Sequence, residues 1–208
     1  MRSPTQSAAR RALQAATTPA HERLHANAMF AALLRGDITR PVYQCLLLRL
    51  LGLHEPIETS LGRLSADPLL AWRGTGLGIP RTARLRSDLA ALGVSQPEID
   101  AAPRAQALLP PLADPASALG CAWVVEGSAL GGRVMSTKIK AILNLTREDE
   151  GHAFFSSDPD QPARWRGCCE ALEVCSAQPN SLAAMIRAAT GTFAAFEIWL
   201  DMPSDHRR

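Results

Sequence analysis

The run Ala118–Leu143, ALGCAWVVEGSALGGRVMSTKIKAIL, decides how the chain is read. Asp114-Pro115 just ahead of it supplies an N-cap and a first-turn proline, so the run opens as a long helix. Its middle carries Gly127, Gly131 and Gly132. Each glycine inside a helix costs roughly 0.5–1 kcal/mol relative to alanine, so this cluster needs a reason. Gly127 and Gly131 stand four apart, which removes two Cβ atoms from one face. Such a strip admits a flat or bulky group directly against the backbone, or a closely packed neighbouring helix, and it permits a kink. A membrane-type seam of small residues does not fit, because Glu126, Arg133, Lys138 and Lys140 interrupt the run.

The surroundings are those of an ordinary globular chain. Its 208 residues suit one domain with a sizeable core, spanning 1–208 with flexible tails expected at 1–9 and 203–208. Hydrophobic residues make up 47% and charged residues 20%, and a net charge of +2 argues against nucleic acid or an acidic membrane surface as partner. Cys45, Cys121, Cys168, Cys169 and Cys175 contain no C-x-x-C pair and read as reduced, mostly buried thiols. The opening MRSPTQSAARRALQAA lacks the apolar centre of a signal peptide, and no apolar stretch reaches membrane-spanning length. A cytoplasmic protein is expected.

Leucine and alanine dominate and hairpin signals are missing, which predicts an all-α bundle of six or so helices. Leu13, Ala16, Ala20 and Leu24 trace a first helical face, interrupted at Pro19 by a kink or a new cap at Thr18. A second helix runs from Thr39-Arg40-Pro41 to Leu61, and Pro56 should bend or break it. Leu69 to Pro80 reads as a loop with one helical turn. Arg81–Leu92 is a helix stopped by Gly93, and Ser95-Gln96-Pro97-Glu98 is a capping box for a short one. After a proline-rich connection comes the glycine-bearing helix, ending near Asn144. A polar loop with Phe154-Phe155 follows, then helices over about Gln161–Cys175 and Ser181–Asp201.

Few residues offer chemistry. His21 and His25 share a helix face, but the order H-E-R-L-H brings no third metal ligand. His54 lies among leucines. Neither Glu55 and Glu58 nor Glu170 and Glu173 make the Glu-x-x-His pairs of a di-iron bundle, and no G-x-S-x-G elbow or phosphate loop occurs.

In this order, several segments resemble one family. An A-T-x-x-x-H ends at His21, a short apolar stretch closes at Gly36, and Thr39-Arg40 with Tyr43 opens the next helix. The segment EGSALGGR, Glu126–Arg133, is similar to the distal-helix G-x-x-x-G-G of biliverdin-forming heme oxygenases. Its wording resembles the bacterial branch associated with bacteriophytochromes. Gly151-x-Ala-Phe154-Phe155 and Phe193 with Phe196 fall where that family has its later loop and last helix, so the resemblance runs from about Leu13 to Leu200.

The resemblance implies that His21 is the proximal ligand of heme iron and the metal ligand of the site. It implies that Gly127, Gly131 and Gly132 bring backbone to the porphyrin, with Phe193 and Phe154 in contact. Heme would be both cofactor and substrate. It would be opened with O2 to biliverdin, CO and ferrous iron by electrons from a ferredoxin or flavin reductase, with a bacteriophytochrome as possible acceptor and a monomer as the working form. Two positions depart from the family. Ser128 stands where many members have a catalytic aspartate, and a hydroxyl is no comparable acid or base; the resemblance then points to Ser128 and His54, with a water between them, as the proton-handling pair beside Gly127 and Gly131. Gln14 stands where a basic residue often meets a heme propionate, leaving Arg11 or Arg10, and Arg166 or Arg164, for that task. The missing aspartate also makes a non-catalytic heme-binding or storage protein on the same fold the alternative.

Overall fold

The computed structural model describes residues 8–73, 80–145, 151–156 and 158–203. Among them the chain is all-α, as its composition predicts, with nine α-helices and no strand. These are α1 Ala8–His25, α2 Ala28–Arg35, α3 Arg40–Gly62, α4 Arg81–Ala91, α5 Gln96–Ala101, α6 Pro115–Ala129, α7 Gly132–Leu143, α8 Gln161–Ser176 and α9 Ser181–Asp201. Seven helical segments are legible in the sequence, and two breaks account for the other two. Asn27 caps a separate α2, its side chain accepting from the Met29 N–H, and the glycine-bearing run divides into α6 and α7. The expected tails fall largely outside the described residues, but Ala8 and Ala9 already belong to α1 and Ala9 is buried.

Neither proline ends its helix. Pro19 sits inside α1, where the hydroxyls of Thr17 and Thr18 donate to the carbonyls of Leu13 and Gln14 (both 2.8 Å) and hold the turn before it. Pro56 lies inside α3, which continues to Gly62, so the expected break does not occur. A proline lacks the N–H that would bond the carbonyl four residues back; here that carbonyl, on Gly52, accepts instead from the Ala105 N–H at 2.9 Å. Gly52 also has no Cβ to collide with Pro103 or Trp199, so the 103–105 connection lies directly on the helix.

The centre of the bundle is α6. From Ala116 to Glu126 every residue except Trp123 is buried, the pattern of a helix covered on all sides. Asp114 is the N-cap the sequence predicts, accepting from the Ser117 N–H at 2.9 Å, and the Ser117 side chain completes a capping box. Small residues let neighbours approach. The backbone of Met185 on α9 passes so near Gly120 that any Cβ there would collide. α9 packs against both α1 and α6, α8 lies along another side of α6, and α3 pairs with α4. Leu13, Leu33, Leu46, Leu47, Leu51 and Leu53 are fully enclosed, each worth roughly 1.5–3 kcal/mol of burial. All five cysteines are free, four of them buried. No helix among the described residues is long and apolar enough to cross a membrane.

Candidate active site

His21 lies near the end of α1 with an exposed imidazole. The His25 ring stands 4.4 Å away, centroid to centroid, and the buried Phe193 of α9 meets His21 edge-on at 6.2 Å and 86°. Partial desolvation, then the nearby charge of His25, lower the His21 pKa below 6.5. The neutral imidazole, the form that can bind a metal, is therefore favoured. The chain thus brings together His21 and Phe193. It also seats His25 against His21, a contact that the spacing of four makes legible.

Across α9 stands the glycine segment, and its three glycines serve different ends. α6 stops at Ala129 and α7 starts at Gly132, with Leu130 and Gly131 between them in right-handed conformations. A Cβ at Gly127 would sit 3.5 Å from the indole of Trp165, so a flat ring already lies on that face. At Gly131 the nearest atom is the Ser128 carbonyl oxygen at 3.9 Å, and the residue is exposed. Gly132 differs: a Cβ there would stand 2.8 Å from the carbonyl oxygen of Phe155, so close helix–loop packing accounts for this glycine. Ser128 is exposed, and its hydroxyl donates to the Val125 carbonyl at 2.9 Å.

His54, by contrast, is only 2% exposed. Its ring is met edge-on by Phe154 at 5.3 Å and Phe196 at 5.8 Å. Burial first, and then the charge of Arg81, hold its pKa well below 6.5. Among the described residues no direct contact joins His54 to Ser128, one enclosed in rings and the other open to solvent. Arg11 and Arg166 are exposed. Arg164 is committed elsewhere, to Glu126 at 3.2 Å and Asp158 at 2.7 Å.

The sequence reading passed over three groups. Glu126 is a buried carboxylate on α6, paired with Arg73 at 3.4 Å and Arg164 at 3.2 Å, while Gln161 donates to its backbone carbonyl. A lone acid in an otherwise apolar helical run was the available signal. Arg81 has its guanidinium carbon 4.2 Å over the Phe154 ring, and burial lowers its pKa to about 10. Asp88 is fully buried and accepts from the N–H groups of Ala153 (2.7 Å) and Phe154 (2.8 Å), while desolvation raises its pKa. The Tyr43 hydroxyl donates to the Gly151 carbonyl at 2.9 Å, so α3 and α4 together fix the segment that carries Phe154.

Comparison with known proteins identifies relatives of the whole chain. The sequence model of the Heme oxygenase family matches residues 7–202. A protein of Xanthomonas campestris pv. campestris (strain 8004) named heme oxygenase is 32% identical over 175 residues, which cover 83% of this chain and 96% of that one. Among solved structures, heme oxygenase from Leptospira interrogans superposes with a TM-score of 0.76 at 16% identity, covering 93% of this chain and 98% of the other. Heme oxygenase-1 from the cyanobacterium Synechocystis sp. PCC6803, in complex with heme, does so with a TM-score of 0.71 at 17% identity, covering 93% and 90%.

Proposed function

The chain belongs to the heme oxygenase family, and from that premise we propose that it binds heme between α1 and the α6–α7 break and degrades it with O2 and external electrons to biliverdin, CO and ferrous iron. The observation that carries the reading is His21: a neutral, accessible imidazole against Phe193 on α9, the helix that also packs on glycine-bearing α6. The residues present suit the group. Gly131 leaves space over the backbone, and the face of Gly127 already accepts a planar ring in the indole of Trp165.

Bound heme supplies the iron at which O2 is activated. The chain's own residues bind and orient. The neutral His21 offers a ring nitrogen to the iron. Gly127 and Gly131 allow backbone to approach the macrocycle, with Gly132 setting the angle of α7 through its packing on Phe155. Arg11 and Arg166 are exposed cations able to meet propionates, and Phe193 and Phe154 line the apolar walls. At Ser128 the hydroxyl proton goes to the Val125 carbonyl, which leaves the oxygen lone pairs to accept from a water. His54, held neutral, can take part in a hydrogen bond with a water but is no acid at pH 7. Electrons would come from a ferredoxin or flavin reductase. Biliverdin would pass to an acceptor such as a bacteriophytochrome, in keeping with that branch of the family, and a monomer would suffice.

The second reading, a heme-binding protein without turnover, is favoured by Ser128, whose one proton is already committed. Absorbance titration with hemin, followed by ascorbate or a ferredoxin system in air, separates the two. Conversion of the heme band to a biliverdin spectrum supports the enzyme; a band that forms and persists supports the carrier; no saturable band removes both.

A further inference from the structure

A cavity of about 260 Å³ opens between α4, the α6–α7 break, the Phe154 segment and the start of α8. Arg81, Arg84 and Arg164 reach it, with Asp158 as the acid in its wall. The direct pairing around it is uneven. A single oxygen, Asp158 Oδ2, receives Arg84 at 3.0 Å and Arg164 at 2.7 Å. Arg164 and Arg73 divide Glu126 between them. Glu58, the next carboxylate, is taken by the N–H and hydroxyl of Thr82. Arg73, Arg84 and Arg164 therefore divide two carboxylates between them, and Glu58 reaches Arg81 only through its charge. Arg81 has no carboxylate within salt-bridge distance among the described residues, and makes one long bond, 3.5 Å, to the Val125 carbonyl. Its Nε–H is buried with no acceptor at all. A buried charged donor left without a partner is costly, and an arginine fork matches the oxygens of a carboxylate or phosphate.

We propose that this cavity is a binding site for a small oxyanion of the phosphate or carboxylate class, with Arg81 as its principal ligand and Arg84 as its second. The anion gives Arg81 a direct partner and accepts the orphaned Nε–H. Because Ala129 and Leu130 line the same space and Arg81 reaches the Val125 carbonyl, an occupant also braces the end of α6. The site is distinct from His21 and does not require heme.

Calorimetric titration of the full chain with inorganic phosphate and with succinate, against chloride at matched ionic strength, tests the proposal. One-to-one saturable binding of either is expected, with the thermal midpoint rising as the site fills. Preference for one probe assigns the chemical class. Arg81→Gln should weaken binding at least tenfold. Arg84→Gln provides the same test should Arg81→Gln fail to fold. His21→Ala should bind the anion as the unaltered chain does. Binding no stronger than chloride's, or binding undiminished in both arginine variants, overturns the proposal.

Discussion

The backbone of Met185 crosses Gly120 so closely that a Cβ on the glycine would lie 2.1 Å from the Met185 carbonyl oxygen. This contact joins α9 to the central helix, and it sets a clear contrast with Gly131. Gly120→Ala should destabilise by about 3 kcal/mol or more, since a backbone atom cannot swing aside. Gly131→Ala, with no atom nearer than 3.9 Å and an ordinary right-handed φ of −80°, should change stability by less than about 1 kcal/mol. It should nonetheless weaken hemin binding if heme lies on that strip. Urea denaturation of both variants, with hemin titration of the second, checks this.

Hemin binding should depend on His21 and not on His25. His21→Ala is expected to abolish the saturable heme band, while His25→Ala keeps it. The sign with pH follows from competition between proton and iron for one nitrogen. With the His21 pKa lowered below 6.5, affinity should hold from pH 8 through 6.5 and fall only under more acid conditions. Removing His25 takes away a charge that helps lower that pKa, so His25→Ala should move the fall toward higher pH. Titrations at several pH values read both.

Protein stability should decline on the acid side because of His54. Above pH 6.5 its ring is neutral in both folded and unfolded chains. Below that, the unfolded chain takes a proton that the folded one, with its depressed pKa, refuses. Stability therefore drops as the pH falls from 6.5 toward the folded value. His54→Phe keeps a ring between Phe154 and Phe196 and should flatten this part of the profile, measured as urea midpoints from pH 8 to pH 5.

Asp88→Asn should cost about 2 kcal/mol. The amide keeps one acceptor oxygen and turns an NH2 toward the second of two buried N–H donors, on Ala153 and Phe154. The loss should appear as a lower thermal midpoint without change in helix content by circular dichroism.

What could be read from the chain alone was mostly local. The caps at Ser95 and Asp114 and the stop at Gly93 are written within a few residues of where they act, and the glycines allowed a kink where the helix in fact breaks in two. The fate of Pro56 was not, because it depends on Ala105, far along the chain, taking the carbonyl that the proline leaves unpaired. The same holds for Asp88, whose partners lie 65 and 66 residues away. For the glycines, spacing showed that two side chains were missing from one face but not what approached: an indole at Gly127, open space at Gly131, a carbonyl at Gly132. Family resemblance singled out His21 and left the arginine–carboxylate network unmentioned, since such pairing is settled only by packing.

The clamp of Asp88 on the Ala153 and Phe154 amides has a kinetic side. Those two N–H groups can exchange with deuterated solvent only when the carboxylate of α4 lets go of them. Their exchange rates thus report how often α4 undocks, rather than how fast the 151–156 segment fluctuates. Protection there should follow α4, and a ligand that secures α4 from outside should slow exchange at Phe154, beside His54, without touching that amide.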